Sequence, residues 1–259
     1  MWFFFQLFII VCALGHSFAT EANVVLADGT RDVIPFLPEK RKTCQLISRQ
    51  GYALCYNEEH EQAEWVAYII TQQRLLQRVN RTNDYRSDPA VKTGSATLAD
   101  YKRSGYSRGH LAPAASMAWS ETVMSESFFL SNISPQVPDF NSGIWRILEE
   151  AVRREAHQHK ELVVITGPLL EPNLPTIGSN RVSVPKSYFK ALLDITNPSI
   201  EGIAFVLENQ FSNKPLKTFA STIDSLESIT GINFFVNLED HIESRIESSV
   251  DMSHWESIK

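Results

Sequence analysis

The chain is poor in the residues that would build a metal-stapled or base-reading module. Only three of its 259 residues are cysteine (Cys12, Cys44 and Cys55). Neither Cys44 nor Cys55 has a Cys or His partner at metal-ligand spacing, which argues against zinc fingers and ribbons. No helix-turn-helix array and no internal repeat is visible. Positive charge is also short, the formal net charge being −6, which argues against a chain basic over its whole surface. There is no aromatic ladder of the kind that single-strand binders stack bases on, so Trp119, Trp145, Phe128 and Phe129 read as core. Even the apolar opening stretch, Met1 to Leu14, is too short to cross a bilayer comfortably and carries no Lys or Arg at its start.

That opening stretch fits a secretory signal. Ser17 and Ala19 supply the small residues of a cleavage site, and removal after Ala19 is expected, with an uncleaved anchor as the alternative. The expected destination is secreted or periplasmic, without stable membrane association after cleavage. Four segments follow: a signal peptide over 1–19, an N-terminal tail over 20–42 with Pro35 and Pro38, a domain over 43–240, and a polar, acidic C-terminal tail or peripheral helix over 241–259. Cys12 would leave with the signal. Cys44 and Cys55 remain at the ends of two short strand signals, Gln45 to Ser48 and Tyr52 to Tyr56, around a turn at Arg49 to Gly51. An oxidising compartment and an even count favour a disulfide across that hairpin, two unpaired small hydrophobes being the alternative.

The remaining elements alternate. Trp65 to Thr71, Leu162 to Thr166, Tyr188 to Ile195, Ile203 to Glu208 and Phe234 to Val236 read as strands. Helices are expected over Glu121 to Ser127 after Ser120, over Ser142 to His157, and after a capping pattern at Ser221 to Asp224, the last ending near Gly231. In the middle helix Ile144, Leu148, Ala151 and Val152 make one apolar stripe. Asn141 stands at its start, and Glu149 lies roughly 80° round the axis from it at 100° per residue. Such mixed order means an α+β fold. Arg81 to Tyr106 is a long loop, which points to function or to short elements within it.

The residues that look chemical concentrate between Gly105 and Glu150. One cluster is Gly105, Tyr106, Ser107, Arg108, Gly109, His110, Leu111, Ala112, Pro113, Ala114; the other is Leu130, Ser131, Asn132, Ile133, Ser134, Pro135, Gln136, continuing through Asn141, Gly143, Trp145 and Leu148 to Glu149. A histidine serves as a general base near neutral pH, an amide oxygen holds a hard cation, and arginine clamps phosphate. Together they suggest metal-assisted phosphodiester cleavage. The other histidines of the mature chain, His60, His157, His159, His241 and His254, stand in polar contexts and read as surface residues, although His157 and His159 at a helix end could hold a metal weakly.

These two blocks resemble the DNA/RNA non-specific endonuclease family, the ββα-metal nucleases with an Asp-Arg-Gly-His signature, and the likeness runs from about Gln45 to Phe235. Ser107 stands where that family has aspartate. The resemblance implies a ββα-metal (His-Me finger) fold on a mainly antiparallel sheet. It also implies a magnesium ion, with manganese as a substitute, on Asn141 as the sole protein ligand, and cleavage of DNA and RNA through their phosphate backbones to 5′-phosphorylated products. His110 would be the general base, Arg108 and Arg81 the phosphate clamps, and Glu149 a support for the metal's water shell. Asn132 and Gln136 read as structural support, with a turn around Pro135 as the other reading. Association into a homodimer stays open.

Charge is unevenly spread in a way that suits this reading. Arg74 to His110 carries a net +5, leaving −11 for the rest of the chain, so an anionic substrate would be drawn to one segment. The rival reading is an exported module of the same fold that binds nucleic acid or protein without cutting, motivated by Ser107 and by the acidic body.

Overall fold

The computed structural model describes residues 32–42, 44–76, 78–196 and 200–259. The expected signal peptide, Cys12 and residues 20–31 of the expected tail lie outside the described residues.

Buried β-branched and aromatic runs form the long strands. In chain order the elements are β1 (Gln45–Ser48), β2 (Ala53–Asn57), β3 (Gln62–Thr71), α1 (Gln72–Leu76), α2 (Leu98–Tyr101), β4 (Ser107–His110), α3 (Glu121–Glu126) and β5 (Ile133–Gln136). They continue as α4 (Pro138–Phe140), a π-helical turn (Asn141–Trp145), α5 (Arg146–His159), β6 (Glu161–Pro168), β7 (Thr176–Ile177) and β8 (Val182–Ser183). Last come β9 (Ser187–Asp194), β10 (Glu201–Glu208), β11 (Ala220–Ser221), α6 (Ile223–Thr230) and α7 (Asp240–Ser248). One antiparallel sheet runs in the order β1-β2-β3-β6-β9-β10-β11, and β4 pairs with β5 in a separate ribbon. The α+β class expected from the sequence is the observed one.

The main sheet is covered on both faces, which explains why its strands read as continuous apolar runs rather than as alternations. Val66, Tyr68 and Ile70 of β3, with Leu162, Val164, Tyr188 and Leu192, pack under α5 beside Trp145, Leu148 and Val152. Their neighbours Trp65, Ala67, Ile69, Val163, Ile165, Phe189 and Ala191 pack on the other face with Ile223, Leu226, Phe234 and Ile246. Cys44 and Cys55 are disulfide-bonded, their Cα atoms 5.3 Å apart. The bond joins the start of β1 to β2 at the edge of the sheet.

Four sequence expectations change. Phe234 to Val236 is not a strand: Phe235 has φ 54°, which takes the backbone out of the extended region. The apolar run is a buried turn packed on Phe189. The cap of α6 is Thr222 rather than Ser221, its hydroxyl accepting from the Ser225 N–H at 3.1 Å, with Gly231 closing the helix in the left-handed region. For residues 241–259 the peripheral helix among the two expected readings is present as most of α7, and what changes is the polar character, since Ile246 and, in a docked terminal segment, Trp255 and Ile258 are buried. The middle helix begins at Pro138, four residues early, and passes through the π turn with a break at Gly143 (φ −98°, ψ −114°). The regular-helix angle between Asn141 and Glu149 does not apply across that turn. Inside the long loop from Arg81 to Tyr106, α2 is started by a reciprocal cap between Thr97 and Asp100.

Candidate active site

The β4/β5 ribbon and the helix after it bring the two sequence blocks together. Strand alternation puts Ser107 and Gly109 on one face of β4 and Arg108 and His110 on the other. Ser107 lies opposite Gln136, Gly109 opposite Ser134 and His110 opposite Ile133. Gly109 leaves room for Gln136, whose side-chain atoms would lie 2.1 Å from a Cβ there. After His110 the chain turns beneath Asn132. Asn132 Oδ1 accepts from Ala112 N at 2.9 Å, and its Nδ2 donates to the carbonyls of Ala112 at 3.0 Å and Ser127 at 2.8 Å. Gln136 is as deeply buried, but neither its side-chain oxygen nor its nitrogen has a hydrogen-bond partner among the described residues. The ribbon is tied to the main sheet by Ser134, whose hydroxyl meets Gln62 Oε1 at 2.6 Å and the Tyr188 hydroxyl at 2.7 Å.

His110 is buried and its Nε2 has no hydrogen-bond partner among the described residues. Its ring meets Phe128 edge-on at 4.9 Å and Tyr85 at 5.6 Å. Burial, then the positive charges of Arg81 and Arg108, push its pKa from 6.5 down to about 3. The imidazole is therefore neutral at physiological pH and keeps a lone pair free. The two arginines stand on the same aromatic pair that walls the histidine. The Arg108 guanidinium lies 4.1 Å from the Tyr85 ring centre and that of Arg81 lies 4.8 Å from the Phe128 ring centre. Arg81 is steered further by Asn83 Oδ1 at 2.7 Å and the Tyr85 hydroxyl at 3.4 Å.

Asn141 opens onto a cleft lined also by Tyr85, Lys102, Ser107 and Arg108. Its side-chain amide has no hydrogen-bond partner among the described residues. The π turn that carries it is a distortion often found at functional sites, here set off by Pro138 and Gly143. Glu149, two turns on, is half-buried. Burial pushes its carboxyl pKa up, while Lys190, Arg153 and Arg81 pull it down. Arg81 therefore acts on both His110 and Glu149, linking the two sequence blocks electrostatically.

Lys190 and Arg153 are functional candidates that sequence reasoning missed. Lys190 is fully buried in β9, its Nζ 3.1 Å from Thr166 Oγ1 and 4.6 Å from the Trp145 ring centre. Burial pushes its pKa down, with Glu149 opposing. The signal was present, since a lysine stands between Phe189 and Ala191 in a run otherwise fit for a core strand, and a buried lysine needs a partner. Arg153, one turn after Glu149, buries one guanidinium nitrogen without a partner.

The basic segment divides into a structural part and a facing part. Arg86 is held by Asp84 and Ser125 and lies over Phe129 at 4.0 Å. Arg74 lies over Trp119 at 4.1 Å. The acidic residues are also engaged: Asp88 pairs with Arg49 and accepts from Ser131, and Asp100 caps α2 and accepts from Asn180. Lys102 and Arg108 line the cleft and Arg81 stands over the His110 wall. Three histidines read as surface are not free. His60 is buried against Ser183 Oγ at 2.9 Å, and His159 and His254 stack on each other over Asp194. Their partners lie 123, 35 and 60 residues away in sequence, beyond the reach of local context.

The model of the DNA/RNA non-specific endonuclease family matches residues 38–241. Mitochondrial endonuclease G of Homo sapiens is 37% identical over 209 residues, covering 75% of this chain and 70% of the relative. A nuclease of Nostoc sp. is 33% identical over 218 residues, covering 80% of this chain and 78% of the relative. Among solved structures, EndoG in complex with EndoGI, described as showing the mechanism of EndoG inhibition, is similar with a TM-score of 0.74 and 26% identity, over 84% of this chain and 93% of that one.

Proposed function

We propose, on the premise that the chain belongs to the DNA/RNA non-specific endonuclease family and is a nucleic-acid-hydrolysing enzyme, that it is an exported, magnesium-dependent endonuclease cutting DNA and RNA with little base preference. The observation that carries the mechanism is the neutral imidazole of His110, its Nε2 unpartnered beside two arginines. In the proposal His110 accepts a proton from the water that attacks phosphorus in line. Arg108 and Arg81 present planar donor forks to the phosphate oxygens and to the charge that builds in the transition state. A bound phosphate would raise the basicity of His110, offsetting the two cations that now depress it.

The residues present fit a divalent cation, on which the family generally depends. Asn141 offers an amide oxygen without a protein partner at an open cleft. One neutral ligand leaves most of the shell to water, which suits magnesium and accepts manganese. When bound, the cation would supply Lewis-acid stabilisation of the phosphate and the leaving 3′ oxygen, giving 5′-phosphate products. Glu149 would orient water near Asn141, and Lys190 and Arg153 would draw its pKa back down against burial. Export is supported by the apolar Met1 to Leu14 stretch ahead of Ser17 and Ala19, and by the Cys44–Cys55 disulfide, a bond that persists in oxidising compartments.

Purified protein incubated with supercoiled plasmid and with RNA, each with magnesium and with excess chelator, tests the reading. Cleavage of both, stopped by chelator and leaving 5′-phosphate ends, is expected. Failure to cut either with magnesium present overturns it. The mass of the exported protein's N-terminus checks cleavage after Ala19.

A further inference from the structure

At the far end of the helix that starts near Asn141, the last residue of α5, the last residue of β9 and the docked terminal segment meet in one polar cluster. His159 Nδ1 lies 3.0 Å and His254 Nε2 2.9 Å from the same Asp194 oxygen, Oδ2. The two imidazoles are nearly parallel, at 16° with centroids 4.3 Å apart. Donor atoms of the three residues all lie within 4.8 Å of one another.

We propose that His159, Asp194 and His254 form a binding site for a zinc-class divalent cation, separate from the nuclease site. Two imidazole nitrogens and one carboxylate oxygen are a donor set that suits zinc rather than magnesium. The nitrogen-to-oxygen separations lie within about half an ångström of the roughly 3.4 Å edge of a tetrahedral shell whose bonds are about 2.1 Å long. The outer contacts are those of a ligand set held in place. The other nitrogen of His159, Nε2, faces Glu155 Oε2 at 3.2 Å, and Asp194 Oδ1 accepts from Thr196 N at 2.8 Å. A histidine that donates its second N–H to a carboxylate is fixed in tautomer and made a stronger ligand. Trp255 walls the rings, 5.1 Å from His254 and 5.7 Å from His159. The His159 and His254 side chains keep 18% and 19% of their surface exposed, so an ion can enter and a water can complete the shell. Eighteen residues separate His159 from Asn141, which is on the order of 25 Å at about 1.5 Å per residue. The cation would lock the terminal segment onto the sheet without touching the reaction.

The test uses the full disulfide-bonded protein, stripped with chelator, then given zinc chloride and passed through gel filtration. Wild type should retain one zinc per chain and melt about 8 °C higher at a hundredfold excess over the dissociation constant. Cobalt(II) should give visible bands of a low-coordinate nitrogen and oxygen site. His254→Ala should retain no zinc and show no zinc-dependent shift, with magnesium-dependent cleavage unchanged; Asp194→Asn serves if that variant does not fold. Asn141→Ala should retain zinc as wild type does. Absence of retained zinc in wild type, equal retention in His254→Ala, or loss of zinc with Asn141→Ala overturns the proposal.

Discussion

At the Asn141 end of the helical stretch that runs to His159, polar groups stand without protein partners; at the His159 end they pair with one another. Among the described residues His110 Nε2 and the Asn141 amide have no protein partner, and the Arg108 guanidinium lies on an aromatic face. By contrast, Glu155, His159, Asp194 and His254 satisfy each other, and Glu155 also accepts from the Ser257 backbone. Unpartnered groups in a folded protein cost free energy, so an accumulation of them at one place marks where a ligand is expected to complete the bonding. A satisfied cluster first stabilises the fold. The two ends should therefore respond to substitution in opposite currencies, one in rate and the other in stability.

The largest effect should come from His110→Ala. Removing a general base costs roughly 10²- to 10⁴-fold in rate, and no second histidine stands near among the described residues. The melting temperature should fall by only a few degrees, because the lost ring made no hydrogen bond through Nε2 and what is lost is its packing on Phe128 and Tyr85. Plasmid nicking rates beside thermal melts make the comparison. Activity within a few-fold of wild type would mean that the unpartnered nitrogen has another purpose.

The mirror experiment is Glu155→Ala. Its carboxylate is fully buried between His159 and the Ser257 N–H. Leaving those partners unsatisfied should cost about 3 kcal/mol, lowering the melting temperature by about 10 °C. Cleavage per folded molecule should be unchanged. A specific loss of rate at temperatures where the variant is folded would erase the distinction between the two ends.

What was legible in the sequence follows the same division. Ser107 to His110 and Asn132 to Glu149 are local blocks that resemble a known family, so the residues around the open end could be named from those blocks and that resemblance together. The long strands were legible because burial on both faces leaves unbroken apolar runs. The satisfied end was not legible, because its members come from residues 155, 159, 194 and 254 and meet only through the sheet. Lys190 was passed over because a strand pattern absorbs one charged residue without changing its outline. Phe234 to Val236 misled for the opposite reason. Its apolar character reports burial correctly, but the backbone at Phe235 is left-handed, and composition does not encode that.

Lys190 gives an intermediate prediction, since it is a satisfied residue acting on the open end. Its ammonium lowers the Glu149 pKa that burial raises. Lys190→Met keeps the volume and removes the charge, so the Glu149 pKa should rise further and the acid limb of the pH-rate profile should move up by about one unit. The sign for stability follows. A carboxyl whose folded pKa is raised contributes stability that is full below its unfolded pKa and is lost as pH rises through the folded one. The variant should therefore keep that contribution to a higher pH. An unmoved acid limb would detach Lys190 from the reaction.

The smallest effect on rate is expected at Ser107, where the chain departs from the family's aspartate. Alternation along β4 places residue 107 on the ribbon face opposite to His110, so a carboxylate introduced there would not meet the imidazole directly. It would instead lie across the strand pair from Gln136, at the roughly 5 Å Cβ separation of directly opposed residues. The Gln136 amide nitrogen is buried without an acceptor. Ser107→Asp would supply one, and Lys102 and Arg108, which line the same cleft, would offset its charge. The expected outcome is a gain of about 1 kcal/mol in stability, or about 3 °C in melting temperature, with nicking rate and acid limb close to wild type. Melts and pH-rate profiles under saturating magnesium separate the alternatives. If the acid limb moved upward instead, the carboxylate would be acting on His110 by charge across the ribbon, and the serine in this chain would be a lowered setting of its base.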